Sequence, residues 1–281
     1  VNIGEYATKS AGARIQDKGS VTVGGIITIK SGAEQNYGAV VEGEDYTRIK
    51  RTGGTSGGTP ESKIGRIDIA STGTIDVNGK DSLGYVLLKG AGSNAGHITV
   101  NANNSLGFYG NKGKFENSGE ITTTGEGSHA VVLQNTGSGT VTSATQTLTF
   151  DNTGNITANT EGTVGIYAES GSHFSHSGTG KKITAGKGAV GIYAIGAGTK
   201  GTVEAEIDVL GSKETNVGGT TRKYTGIGVY SDGNSETTFN TGAKLTLGEK
   251  TVGLFSSDAS KFENTFINLQ NLEASIGDGS V

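Results

Sequence analysis

The sequence lacks cysteine, methionine and tryptophan, and it has one proline among 281 residues. Without cysteine the chain forms no disulfide, thiolate metal site, iron–sulfur cluster or cysteine nucleophile. The 23 Lys and Arg residues against 27 Asp and Glu residues give a net charge of −4, which provides no global positive field for a nucleic acid. No apolar run approaches the roughly 20 residues of a membrane span. We therefore expect neither nucleic-acid binding nor direct membrane insertion.

Glycine is abundant, with 50 residues, and 32% of the chain is hydrophobic. That apolar content is sufficient for a core, and a single proline with no three-residue glycine period excludes collagen. The chain begins at Val1, and residues 1–10 do not have the pattern of a signal peptide. We therefore expect an ordered segment of a longer protein.

A short apolar motif built around a glycine recurs along the chain, and its bare period is 23 to 26 residues. Looser copies of this glycine segment are centred on Gly4, Gly38, Gly84, Gly107 and Ala130. The clearest copies are Val164-Gly165-Ile166-Tyr167-Ala168, Val190-Gly191-Ile192-Tyr193-Ala194, Ile227-Gly228-Val229-Tyr230-Ser231 and Val252-Gly253-Leu254-Phe255-Ser256. These nine copies predict about nine coils over residues 1–281, forming one solenoid segment.

Two further motifs keep fixed offsets from the glycine segment. One is a Thr or Asp between mostly apolar residues, as in Ile98-Thr99-Val100, and the other is an aromatic residue before a polar turn, as in Phe115-Glu116-Asn117-Ser118-Gly119. Three short extended segments per repeat predict an all-β fold, a three-sided parallel β-solenoid. The usual handedness of parallel crossovers favours a right-handed β-helix.

Strand alternation assigns the side chains of the glycine segment to two faces. It predicts that the residues before and after the glycine face inward and that the residue two places after the glycine faces outward. That outward position is aromatic in five coils, which predicts an aromatic column on the surface. The column would be formed by Tyr109, Tyr167, Tyr193, Tyr230 and Phe255.

The longer intervals between repeats predict loop insertions near residues 42–63, 134–147 and 212–224. Rigid scaffolds commonly carry recognition residues on such loops, and Tyr and Arg are enriched in binding hot spots. We therefore expect partner-binding residues in the two charged insertions. The candidates are Tyr46, Arg48, Lys50, Arg51, Arg222, Lys223 and Tyr224.

Several His and Asp residues could suggest catalysis or metal binding, but their positions favour ordinary surface residues of strands. His173 and His176 lie three apart on a predicted strand, so they face opposite sides, and no third metal ligand is evident. Asp68, Asp76 and Asp208 take exposed middle positions of strands in different coils. We predict no catalytic residues, metal site or cofactor, although β-helices of similar shape include carbohydrate-active enzymes.

The order of the Asn117-Ser118-Gly119 and Val164-to-Ala168 motifs resembles the passenger domains of large fusobacterial type V autotransporter adhesins. The resemblance implies a right-handed β-helix displayed on the bacterial surface, or secreted, and exported through an outer-membrane barrel outside this segment. It also implies attachment to host cells or other bacteria through a protein or glycan receptor. A purely structural stalk and a carbohydrate-active β-helix enzyme remain the alternatives.

Overall fold

A computed structural model of the chain describes residues 1–43, 65–135, 148–257, 266–269 and 272–281. These residues form thirty β-strands and no helix. In chain order the first fifteen are β1 (Asn2–Ile3), β2 (Ala11–Asp17), β3 (Ser20–Val23), β4 (Ile26–Ile29), β5 (Tyr37–Gly43), β6 (Arg66–Ile69), β7 (Thr74–Val77), β8 (Leu83–Lys89), β9 (Ala91–Asn94), β10 (His97–Val100), β11 (Leu106–Gly110), β12 (Lys114–Asn117), β13 (Glu120–Thr123), β14 (His129–Gln134) and β15 (Thr149–Asn152). The other fifteen are β16 (Asn155–Ala158), β17 (Val164–Glu169), β18 (His173–His176), β19 (Lys182–Ala185), β20 (Val190–Ile195), β21 (Lys200–Val203), β22 (Glu206–Val209), β23 (Lys213–Val217), β24 (Thr220–Tyr224), β25 (Ile227–Asp232), β26 (Glu236–Phe239), β27 (Lys244–Leu247), β28 (Val252–Ser257), β29 (Phe266–Leu269) and β30 (Glu273–Ile276).

Three parallel sheets contain all of these strands except β23 and β24, and each strand pairs with its counterpart one coil later. The threonine sheet has the order β1-β4-β7-β10-β13-β16-β19-β22-β27-β30. The glycine sheet has the order β2-β5-β8-β11-β14-β17-β20-β25-β28, and the asparagine sheet has the order β29-β26-β21-β18-β15-β12-β9-β6-β3. The predicted all-β, three-sided parallel solenoid is confirmed.

In-register stacking of like side chains builds the core between the three sheets. In the threonine sheet Ile75 pairs with Ile98 and Ile98 with Ile121, and all three side chains are fully buried. Buried aromatic rings also pack between the sheets, where Phe108 and Phe115 have ring centroids 4.2 Å apart. Repetition at a fixed register therefore gives a continuous interior through the central coils.

The glycine strands depart from the simple alternation predicted for them. A Cβ added to Gly191 would lie 2.9 Å from the Cγ2 atom of core residue Ile207 and 2.6 Å from the carbonyl oxygen of Gly228, so this glycine faces inward. Ile192 is fully buried, as predicted, but Val190 before the glycine is only partly buried. The prediction that the residue before the glycine faces inward is therefore wrong for Val190. Leu83 and Leu106 are likewise only partly buried, whereas Val164 is buried. In these strands the glycine and the residue after it are two successive residues that turn toward the core.

The strand pairing places the first copy of the glycine segment elsewhere and explains the long interval before the third copy. In the first coil Ala11 pairs with Tyr37, which makes Gly12 the counterpart of Gly38, so the copy predicted at Gly4 is wrong. Strand β5 pairs directly with β8, so the long interval between Gly38 and Gly84 is one step of the sheet. After the insertion the next described strand is β6 of the asparagine sheet, and the chain returns to the glycine sheet at β8.

Candidate binding surfaces

The insertion predicted at 212–224 is a β-hairpin made of β23 and β24, which pair antiparallel. Val217 pairs with Thr220, and Gly218 and Gly219 form the turn with φ angles of 59° and 80°. Two successive positive φ angles are typical of a type I′ turn, which matches the twist of a hairpin and suits glycine. The Gly-Gly pair therefore sets the local fold of this insertion.

Side-chain contacts hold the hairpin against the turns of two preceding coils. Lys213 Nζ lies 2.8 Å from Glu161 Oε2, and Thr215 Oγ1 donates to Glu161 Oε1 at 3.4 Å. The hydrogen bond from Lys213 lowers the pKa of Glu161. Tyr224 packs on the turn at Gly188, where an added Cβ would lie 2.6 Å from the Cβ of Tyr224. The hairpin is therefore a positioned element of the surface.

The three candidate residues of the hairpin have different environments. Arg222 is exposed and makes no ion pair with any described residue. Lys223 is also exposed, and its Nζ lies 3.3 Å from Glu214 Oε1 across the strand pair. Tyr224 is partly buried at the base of the hairpin. Arg222 and Lys223 are therefore open to a partner, whereas Tyr224 mainly supports the hairpin.

The other two insertions leave the opposite end of the glycine strands. The candidates Tyr46, Arg48, Lys50 and Arg51 lie outside the described residues, as does 136–147 of the uncharged insertion. The first insertion follows β5 and the second follows β14, which is three strands further along the glycine sheet. At about 4.8 Å per step these exit points are roughly 14 Å apart. The hairpin instead precedes β25, so it leaves a different corner of the solenoid.

Four aromatic rings stack on the outer surface of the glycine sheet. The ring centroids of Tyr167 and Tyr193 are 5.2 Å apart, those of Tyr193 and Tyr230 are 4.5 Å apart, and those of Tyr230 and Phe255 are 5.0 Å apart. The interplanar angles are 14°, 4° and 22°. Because neighbouring rings cover one another's faces, the stack presents ring edges and hydroxyl groups to solvent. A sugar ring has no free face to stack on between them.

Tyr109 occupies the same outward row but lies outside the stack. The intervening strand carries Val132, which separates Tyr109 from Tyr167. The two tyrosines are instead linked by polar side chains: Tyr109 Oη donates to Gln134 Oε1 at 2.9 Å, Gln134 Nε2 to Glu169 Oε1 at 2.7 Å, and Tyr167 Oη to Glu169 Oε2 at 2.8 Å. Burial raises the pKa of Tyr167, and the bond to Glu169 adds to this effect. The predicted column is therefore a stack of four rings.

The three aspartates considered for catalysis do not converge. Asp68 lies in the asparagine sheet, where Arg66 Nε donates to it at 2.7 Å. Asp76 and Asp208 share a row of the threonine sheet but are five strands apart, and burial raises the pKa of both carboxyl groups. Within the described residues, no three His, Asp or Glu side chains are grouped to hold a metal ion.

The two histidines of β18 face opposite sides of the asparagine sheet, as predicted. His173 is partly exposed, whereas His176 is fully buried. His176 ends an interior ladder of amide side chains, in which Asn94 Nδ2 donates to Asn117 Oδ1 at 2.8 Å and Asn117 Nδ2 to Asn152 Oδ1 at 2.6 Å. His176 is therefore part of the structural core.

Comparison with protein-family models, curated proteins and solved structures finds no match for this chain. Across the parts of the chain that the structure describes, no helix has the length and apolar character needed to span a membrane.

Proposed function

We propose that this chain is an adhesive rod segment of a surface-displayed or secreted bacterial protein. It attaches to host cells or other bacteria by binding a receptor protein or glycan, and it catalyses no reaction. The motif order that resembles autotransporter passengers supports this assignment and implies anchoring through an outer-membrane barrel outside this segment. The dispersed positions of Asp68, Asp76 and Asp208 support binding without catalysis.

The hairpin of β23 and β24 carries the proposal, because it is inserted without interrupting the strand pairing of the glycine sheet. Strand β25 directly follows the hairpin in sequence, yet it pairs in register with β20 of the preceding coil, from Val190 and Ile227 to Ile195 and Asp232. The scaffold therefore does not depend on the hairpin, which presents exposed Arg222 and Lys223 at a corner. Such a division between rigid scaffold and projecting element is typical of recognition surfaces.

Attachment of the purified, fluorescently labelled chain to epithelial cells and to bacterial cells tests the proposal. The decisive variant replaces residues 213–224 by a short Gly-Ser turn, and a second variant is Arg222→Ala with Lys223→Ala. Lys200→Ala is the matched control, because Lys200 is an exposed lysine in the asparagine sheet with an ion-pair partner at 3.2 Å, Glu236. We expect weaker attachment for both hairpin variants and no change for the control.

The alternative functions give different results in the same experiment. A structural stalk would bind neither cell type, although the chain is folded. A carbohydrate-active enzyme would release reducing ends from a polysaccharide panel, which an adhesin would not do. Attachment that survives loss of the hairpin would move the binding residues to the insertions after β5 and β14.

A further inference from the structure

Unequal turn lengths create a groove at the corner between the asparagine and threonine sheets. Most described turns at this corner have two residues, as at 95–96, 118–119 and 153–154. The two-residue turn 204–205 is different, because its neighbours are the five-residue turn 177–181 and the four-residue turn 240–243. The short turn therefore forms the floor of a groove of about 470 Å³ between two higher walls.

The groove is lined by charged side chains of both signs and by glycine backbone. Two lysines and two glutamates contribute their side chains, and the remaining lining is small or polar. The lining residues are Gly178, Thr179, Gly180, Lys181, Glu204, Ala205, Glu206, Thr241, Gly242 and Lys244. Since the four charges sum to zero and this lining contains no aromatic side chain, neither a strongly charged nor a flat apolar ligand fits the site.

The two carboxylates are fixed by neighbours, and each is left with further acceptor capacity. Asn240 Nδ2 donates to Glu204 Oε1 at 3.0 Å, and Thr246 Oγ1 donates to Glu206 Oε1 at 3.3 Å. A carboxylate accepts about four hydrogen bonds in all. Lys182 Nζ lies 3.7 Å from Glu206 Oε1 at the edge of the groove. Lys181 has no side-chain partner among the described residues and can donate to a ligand. The site therefore offers two carboxylate acceptors held by neighbouring side chains and one lysine donor without a side-chain partner.

The floor of the groove is held in place by backbone hydrogen bonds. Glu204 N donates to the carbonyl oxygen of His176 at 2.7 Å, and Glu206 N donates to the carbonyl oxygen of Lys181 at 3.2 Å. The small side chain of Ala205 between the glutamates is buried. Because the floor is part of the solenoid ladder, ligand binding requires little ordering of the protein, which lowers its entropic cost.

We propose that this groove binds a neutral oligosaccharide segment. Adjacent sugar hydroxyls can donate to Glu204 and Glu206 and accept from Lys181, and hydrogen bonds to charged groups are stronger than neutral ones. The anionic group of a sialylated or sulfated sugar would be attracted by the lysines but repelled by the glutamates. This inference rests on the proposed binding function and adds a ligand class to it.

The test uses the intact chain and a panel of neutral oligosaccharides of glucose, galactose, mannose and N-acetylhexosamine, with sialylated and sulfated counterparts. Saturation-transfer NMR detects binding and calorimetry measures affinity. The variant is Glu204→Gln with Glu206→Gln. The matched control is Glu120→Gln. Like Glu206, Glu120 is the first residue of a strand of the threonine sheet, but the turn before it and both neighbouring turns have two residues, so no groove forms there. Thermal unfolding verifies that each variant is folded.

We expect at least one neutral oligosaccharide to bind, with affinity reduced about tenfold in the double variant and unchanged in the control. Affinity should also differ little between about 50 and 500 mM NaCl, because the groove charges are compensated. The proposal is overturned if no neutral sugar binds, if the charged counterparts bind more tightly, or if the folded double variant binds as well as wild type. Sugar binding without cell attachment would instead overturn the proposed adhesive function and leave the groove assignment intact.

Discussion

His176 Nδ1 lies 2.8 Å from Asn152 Nδ2, so an imidazole completes a buried ladder that three asparagines begin. The amide nitrogen donates this hydrogen bond, which assigns the imidazole proton to Nε2, 3.0 Å from the carbonyl oxygen of Glu206. Protonation of Nδ1 would place two N–H donors, one from the imidazole and one from the Asn152 amide, against each other. Burial lowers the pKa of His176 to about 4, although the bond to the Glu206 carbonyl opposes this shift.

The first prediction is that His176 makes the solenoid sensitive to mild acid. Because its pKa is lower in the folded state than its usual value near 6.5 in the unfolded state, its contribution is present above pH 6.5 and is lost as the pH falls toward 4. The free energy of unfolding should fall by about 3 kcal/mol over that pH interval. Denaturant unfolding at pH 7, 6, 5 and 4 measures it.

His176→Asn is the matching variant. Asn94 at the other end of the ladder reaches the carbonyl oxygen of Glu120 at 3.2 Å with its Nδ2, so an asparagine can make this kind of contact. The difference in the free energy of unfolding between wild type and variant should shrink or reverse in sign as the pH falls. The difference isolates His176, because the carboxylates and the other histidines titrate in both proteins. A constant difference from pH 7 to 4 would contradict the assignment.

The second prediction compares two neighbours on one glycine strand. Ile192→Ala should lower the free energy of unfolding by about 2 to 4 kcal/mol, because it leaves a cavity in the core. Tyr193→Ala should cost about 1 to 2 kcal/mol, since it removes two ring contacts from a partly exposed stack. Chemical denaturation of both variants checks the order, and equal losses would show that the faces are misassigned.

The third prediction concerns the space that Gly92 leaves for Tyr85. A Cβ added to Gly92 would collide with Tyr85 Oη, whose hydroxyl donates to the carbonyl oxygen of Ile67 at 2.8 Å. Gly92→Ala should therefore cost about 1 to 3 kcal/mol by overpacking. In a Tyr85→Ala background the same change should cost clearly less. A double-mutant cycle from denaturant unfolding measures this coupling, and additive effects would contradict the steric explanation.

The fourth prediction addresses the first insertion. Strand β5 pairs directly with β8, so the ladder closes across this insertion. Replacing residues 44–61 by a short Gly-Ser turn should therefore leave the unfolding temperature nearly unchanged. We expect the same variant to attach less well to the native partner, because Tyr46, Arg48, Lys50 and Arg51 are removed. Full attachment by the folded deletion would leave Arg222 and Lys223 as the contacts.

Repetition made the architecture predictable from the sequence, because a recurring motif specifies the coil and its register together. The inward position of Ile192 and the outward row of Tyr193 followed from strand alternation. Alternation failed one residue earlier, at Val190, because Gly191 lacks a side chain and allows two successive residues to face the core. A sequence shows where a glycine lies but not which way its missing side chain would point.

Single-residue differences between coils limited the rest of the prediction. Val132 interrupts the aromatic row, so the residue type at one strand position decides whether Tyr109 joins the stack. The asparagine ladder could have been found by aligning Asn94, Asn117 and Asn152, which follow an aromatic or glycine position by two residues in successive coils. The polar groove depends on turn lengths at one corner, and such differences are visible only after the coils have been aligned.

The parallel ladders also determine how such a rod responds to tension. In all three sheets the hydrogen bonds between coils run along the axis, so a pulling force along the axis loads successive coils in series. A coil that detaches replaces a rise of about 4.8 Å with roughly 80 Å of extended chain for a 23-residue repeat. Each rupture lowers the tension before the next coil is loaded. A parallel solenoid pulled along its axis therefore lengthens in steps, one coil at a time.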